Sequence, residues 1–214
     1  MIHWQDKITF DFTNQEIASH FTGDALFFDI ETTGFSPART SLYLIGCASR
    51  QGDQLILDQF FAETPQDESE VLAAFLSFAA SFDTIITFNG IGFDIPYLKA
   101  KCSKYHMKDP FSQFTYLDIY KEVSHVKHLL KLPNLKQKSI EIFLGIDRED
   151  AYGGGELIEV YHSYTRHPSE DALSLLKQHN YEDVLYMPKL LPILAYNKLA
   201  SCDIHIQSVD ANEY

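Results

Sequence analysis

Short apolar runs closed by turn-forming residues mark out strands along this chain. Leu26–Gly34 (LFFDIETTG) opens on three apolar residues and ends on Thr32, Thr33 and Gly34. Ser41–Ala48 (SLYLIGCA) is a second run and, after the turn Gln51-Gly52-Asp53, Gln54–Phe61 is a third. These two predict an antiparallel hairpin with the first run alongside it. Thr84–Phe88 (TIITF) and Tyr116–Ile119 predict further strands, and Lys7–Phe12 a short one near the start. Helical spacing comes in between. Asp67–Ser81 carries Val71, Leu72, Phe75, Leu76 and Phe78 on one face, with acids at Asp67, Glu68 and Glu70 suiting its N-terminal dipole. Thr13 or Asn14 caps a helical turn to His20. Phe93-Asp94-Ile95-Pro96 opens a helix after Asn89-Gly90-Ile91-Gly92, with Asp94 placed as its cap. Gln137–Leu144, Glu156–Tyr164 and a long stretch from Pro168 to about Leu194 complete the helices, and Pro188 and Pro192 should kink or end the last. Asp147–Gly155 reads as a loop and Ser201–Tyr214 as a loosely ordered tail. The order implies an α/β fold, a mixed central sheet flanked by helices.

Composition narrows the class. At 214 residues, 45% hydrophobic and 14% aromatic, the chain can bury one sizeable core, so one domain over 1–214, with its core at about 24–195, is expected. No apolar run is long enough for a transmembrane helix. The start, MIHWQDKITF, lacks the order of a signal peptide. Cys47, Cys102 and Cys202 form neither a disulfide framework nor a zinc pattern, and a cytoplasmic setting is expected. The net charge is −13. That is unlike a nucleic-acid binder, yet residues 99–138 hold nine lysines against three acids, a net +6 that leaves −19 for the remainder. Such a strip can steer a polyanion or be an ordinary solvated face.

The chemistry sits at the end of the first apolar run. Asp29 and Glu31 flank Ile30, and alternate residues of a strand share a face. Two carboxylates held together at the end of an apolar strand repel each other and are penalised by desolvation. A divalent cation with hard oxygen ligands, Mg²⁺ or Mn²⁺, offsets both costs. Asp94 is a third carboxylate, after a strand and two glycines; Asp183 is a fourth. His179 lies four residues before Asp183, on the same helical face. Taken singly, each also reads as a turn residue, a cap or a surface pair.

Together, and in this order, FFDIETTG, TFNGIGFDIPYL and HNYEDV resemble the three motifs of the DEDD superfamily of 3′–5′ exonucleases. YLDIY, SIEIFLGIDRED and ELIEVYHSY extend the resemblance to the YprB-type ribonuclease H-like family, over about residues 24–195. It implies a ribonuclease H-like fold and a 3′–5′ exonuclease that hydrolyses single-stranded DNA or RNA. It also implies two Mg²⁺ or Mn²⁺ ions, roughly 3.5–4 Å apart, held by Asp29, Glu31, Asp94 and Asp183. Asp29 would bridge them, Asp94 would act largely through water, and His179 would be the general base. His179 departs from the commonest spacing of the histidine subgroup by one residue, and Tyr181 competes for its role. Asn89, Gly90 and Gly92 could approach the strand's 3′ end, Phe93 could stack on a base, and Lys127, Lys131 and Lys136 could line the incoming strand. The alternatives are a catalytically weak nuclease-fold module for binding or docking, and a hydrolase of very short oligonucleotides.

Overall fold

The structure is a computed structural model that describes residues 1–148 and 152–200. The tail 201–214, with Cys202, lies outside the described residues, and the loop 147–155 is described in part. Among the described residues six strands form one mixed sheet: β1 (Ile2–Thr9), β2 (Ala25–Thr32), β3 (Leu42–Gln51), β4 (Gln54–Phe61), β5 (Thr84–Thr87) and β6 (Thr115–Asp118), in the order β1-β4-β3-β2-β5-β6. The first four strands in that order are antiparallel neighbours, and β5 and β6 add to β2 in parallel. The expected hairpin is β3–β4, with β2 beside β3.

Among the described residues eight α-helices cover the sheet: α1 (Gln15–His20), α2 (Glu68–Ala79), α3 (Asp94–Lys104), α4 (Ile119–Leu130), α5 (Gln137–Phe143), α6 (Gly154–Arg166), α7 (Glu170–Tyr186) and α8 (Ala195–Ala200). Strict alternation along β2 sends Leu26, Phe28 and Ile30 into one apolar cluster, beneath α2, α3 and α6. It sends Ala25 and Phe27 into the other, beneath α1, α4 and the 3₁₀ segment Met187–Leu194. α7 packs across β2, β3 and β4, its Leu176 in the first cluster and its Val184 in the second.

Three expectations need correction. The first strand is Ile2–Thr9, not Lys7–Phe12; Phe10 and Phe12 lie beyond it and pack into the second cluster. α4 fills a stretch outside the expected helices, burying Ile119, Val123, Val126 and Leu130 at helical spacing. Asp94 is the first residue of α3 rather than its cap, because its carboxylate is turned onto β2. Pro188 and Pro192 do end the long helix as expected: α7 stops at Tyr186 and gives way to a 3₁₀ run that continues into α8. Among the described residues no helix is long and apolar enough to cross a membrane.

Candidate active site

The candidate site forms where β2 outlasts its parallel neighbour. β5 pairs with β2 only over Ala25–Phe27. The Ile30 N–H beyond is therefore left for a side chain, and Asp94 Oδ1 accepts it at 3.2 Å. This bond brings the third carboxylate beside the first two. A register shift between β2 and β3 follows directly after Glu31, the kind of irregularity that re-aims side chains beside sites.

α7 closes the site from above. His179 Nε2 lies 3.6 Å from Glu31 Oε1 and 3.4 Å from Asp183 Oδ2. The next residue, Asn180, donates from Nδ2 to Asp29 Oδ2 at 3.2 Å. Asn180 can sit there because Gly46 stands opposite Asp29 on β3: a Cβ at Gly46 would lie 2.1 Å from Asn180 Oδ1. Gln59, opposite Gly46 on β4, donates to that same Oδ1 at 3.0 Å and to the Lys177 carbonyl at 3.0 Å. One row across three strands thus pins the helix that carries His179 and Asp183.

The turn before Asp94 is also fixed. Asp118, the last residue of β6, accepts from the Asn89 N–H at 2.9 Å, the Ile91 N–H at 3.1 Å and, capping α4, the Tyr120 N–H at 3.1 Å. Asn89 adopts the left-handed region, with φ 62°, which asparagine tolerates better than most residues.

Burial shifts Asp29, Glu31 and Asp94 toward their neutral forms. Asp29 is raised well above the usual carboxylate range, first by burial and then by Asp94, Asp183 and Glu31. Glu31 is pushed up to about 8 by burial and by Asp183 and Asp94, against the opposing pull of His179. Asp94 is pushed up to about 7 by burial and by Asp118, against backbone N–H groups that include that of Ile30. Glu31, His179 and Asp183 offer ligand atoms within 4.8 Å of one another. The carboxylate oxygens are hard donors, and buried acids that resist ionising without a counter-charge are the kind of ligand a hard divalent cation would stabilise.

Asp29, Asp94 and Asp183 open onto a cleft of about 630 Å³ lined also by Asn89, Phe93 and Lys136, among others, whereas Glu31 and His179 do not line it. Phe35, 88% exposed, stands at the cleft with its ring 5.8 Å from that of Phe93, edge to face. Of the residues expected to meet a strand, Asn89, Phe93 and Lys136 line the cleft. Gly90 and Gly92 do not line it; a Cβ at Gly90 would meet the Thr87 side chain at 2.6 Å, so this glycine serves packing. Lys127 and Lys131 are not brought to the acids either. Lys127 sits in the last turn of α4, and Lys131, its left-handed C-cap, lines a separate groove with Leu132, Pro133 and Phe143. Tyr181 packs against the second apolar cluster rather than into the cleft.

Asp118, Asn180, Gly46, Phe35 and Arg148, whose guanidinium lies 2.7 Å from Asp183 Oδ1, were not singled out from sequence. Phe35 was the most accessible of these, an aromatic directly after ETTG.

The fold has known counterparts. A profile of the RNase H superfamily matches residues 26–195. The chain belongs to the RNase H superfamily. This RNase H superfamily chain is similar in fold to the family B DNA polymerase of the hyperthermophilic archaeon Pyrobaculum calidifontis, at 19% identity and a TM-score of 0.59, over 82% of this chain and 24% of the polymerase. It is also similar to E. coli ExoI, seen in a zinc-bound complex with single-stranded DNA, at 18% identity and a TM-score of 0.45, over 75% of this chain and 44% of ExoI. The RNase H superfamily chain thus spans about a quarter of the polymerase and under half of ExoI. No curated protein matches it significantly.

Proposed function

We propose that this RNase H superfamily chain is a metal-dependent 3′–5′ exonuclease of the DEDD, YprB-like type, acting on the 3′ end of single-stranded DNA or RNA. One observation carries the reading. Three separated stretches of sequence deliver Asp29 and Glu31, Asp94, and His179 and Asp183 to the end of one strand, with Asp29, Asp94 and Asp183 lining an open cleft and His179 beside Glu31 and Asp183. A purely structural role does not account for burying Asp29, Glu31 and Asp94 together, because each of these three is destabilised by burial and by neighbouring acids.

Asp29, Glu31, Asp94 and Asp183 would hold two Mg²⁺ or Mn²⁺ ions. When bound, these supply the charge that favours ionised water as nucleophile and stabilises the leaving 3′ oxygen. His179, with Nε2 facing the acids, accepts the proton of the attacking water as general base. Water adds at phosphorus as its proton passes to His179, the P–O3′ bond breaks, and the 3′ oxygen leaves and takes a proton from solvent water, releasing a 5′-mononucleotide. Asn180 orients Asp29 and the Ile30 N–H orients Asp94. Asn89 and Lys136 reach phosphate oxygens, while Phe93 and Phe35 offer ring faces to bases, a sequence-tolerant mode of grip. The cleft needs only the last nucleotides of a strand, which suits an acidic protein with few cations at its mouth.

The test is hydrolysis of 5′-labelled single-stranded DNA and RNA with Mn²⁺, Mg²⁺ or EDTA, by wild type, Asp29→Asn and Asp183→Asn. The reading expects a ladder that shortens from the 3′ end and is lost with EDTA and in both variants. Absence of turnover on polymers and on dinucleotides, despite metal binding, overturns it in favour of a binding or docking module. Turnover of dinucleotides alone favours the short-oligonucleotide hydrolase.

A further inference from the structure

Arg148 lies in the stretch read from sequence as a plain loop, yet its side chain is only 8% exposed. Its Nη1 donates to Asp183 Oδ1 at 2.7 Å and lies 3.3 Å from Glu141 Oε2; its Nε lies 3.4 Å from Glu182 Oε2. Glu141 on α5 and Glu182 on α7 are both buried, and the proposed chemistry uses neither. Gln137 ties the group together, donating to Glu141 Oε1 at 3.0 Å and to the Asp183 carbonyl at 3.2 Å. Two buried acids are therefore committed to holding one guanidinium against the fourth carboxylate of the site.

The two oxygens of Asp183 consequently differ. Oδ1 is engaged by Arg148, whereas Oδ2 lies 3.4 Å from His179 Nε2, on the side of Glu31. A planar, permanently charged fork fixes a carboxylate's orientation better than an ammonium does. Its charge, buried and thus weakly screened, also opposes any cation drawn to the same acids.

We propose that Arg148 is a positioning residue and built-in counter-ion for Asp183: it presents Oδ2 to the metal site and keeps divalent affinity below what the acids alone would give. The inference rests on the proposed nuclease reading. It predicts opposite signs for binding and turnover, which a merely structural role would not produce, since loosened folding weakens both.

The experiment combines Mn²⁺ titration calorimetry on the full chain with single-stranded DNA hydrolysis at saturating Mn²⁺, for wild type, Arg148→Gln and Arg148→Lys. Arg148→Gln should bind Mn²⁺ about tenfold more tightly, the loss of one opposing charge being of order 1.4 kcal/mol. Its kcat should nevertheless fall about tenfold or more, with KM for the strand little changed. Arg148→Lys keeps the charge without the fork, so it should match wild type in Mn²⁺ affinity while still losing kcat. Unchanged or weaker Mn²⁺ binding by Arg148→Gln, or full turnover by either variant, overturns the proposal. Should Arg148→Gln fail to fold, Arg148→Lys decides: an altered Mn²⁺ affinity or an unchanged kcat overturns it. Failure of wild type to cut any strand counts against the nuclease reading alone, and the Mn²⁺ titrations still decide the counter-ion role.

Discussion

Replacing Glu31 by glutamine should make the metal-free protein more stable, and only at high pH. The Glu31 carboxyl sits at about 8 instead of 4.5, chiefly because it is buried. A carboxyl raised in this way stabilises the fold fully below about pH 4.5, and that contribution is lost as pH climbs through about 8. At about 1.4 kcal/mol per pH unit, full ionisation costs about 5 kcal/mol. Relaxation and water entry around a buried charge reduce such a figure, and about 3 kcal/mol is the expected gain for the uncharged amide. For a chain of this size 1 kcal/mol moves Tm by about 2–4 °C, so Glu31→Gln should melt about 6–12 °C above wild type at pH 9 in EDTA. At pH 4 the two should coincide. Mg²⁺ should reverse the order of effects, stabilising wild type at pH 9 and leaving the variant nearly unmoved. Circular-dichroism melts at both pH values, with EDTA or Mg²⁺, make the measurement. A variant no more stable than wild type at pH 9, or equally stabilised at pH 4, would refute the reasoning.

Gly46→Ala should destabilise the protein by about 1–3 kcal/mol in urea, because its Cβ would meet Asn180 Oδ1 and push α7 off the sheet. Activity should fall further than the stability loss explains, since Asn180 holds Asp29. Phe35→Ala should leave Tm unchanged, the ring being exposed, while raising KM for single strands by about 5-fold to 100-fold through lost stacking. Asp118→Ala strips the acceptor from three backbone N–H groups and should cost about 2–3 kcal/mol, with faster hydrogen exchange at Asn89 and Ile91.

Much of this architecture is written locally. β2, β3, β4 and β5 are short apolar runs between turns, and α2 has a clean apolar face, so pattern alone finds them. β1 is harder, because it is an edge strand whose middle, Gln5, Asp6 and Lys7, faces solvent and breaks the alternation. α4 was legible in Ile119, Val123, Val126 and Leu130, but its lysines drew attention to charge instead of period. The five residues named for chemistry meet at one place, since strand alternation and the i, i+4 rule bring Asp29 to Glu31 and His179 to Asp183. What holds them there was not legible. Asn180 and Gly46 are 134 positions apart in the chain, and Arg148 meets Asp183 across 35. Such pairs are fixed by how α7 lies on the sheet, which no local pattern encodes. The expectation for Lys127 and Lys131 rests on charge alone, and neither lines the cleft.

The alternation along β2 has one more consequence. Leu26, Phe28 and Ile30 on one side and Phe27, Asp29 and Glu31 on the other form two interleaved combs. A one-residue slip against β3 would exchange them, driving both acids into hydrocarbon while stranding three large apolar side chains among the donors of the cleft. The mispaired strand therefore carries its own penalty, and chains that close the sheet in the wrong frame cannot persist long enough to be mistaken for folded. The residues that make the centre reactive thus also proofread the assembly of the sheet that carries them.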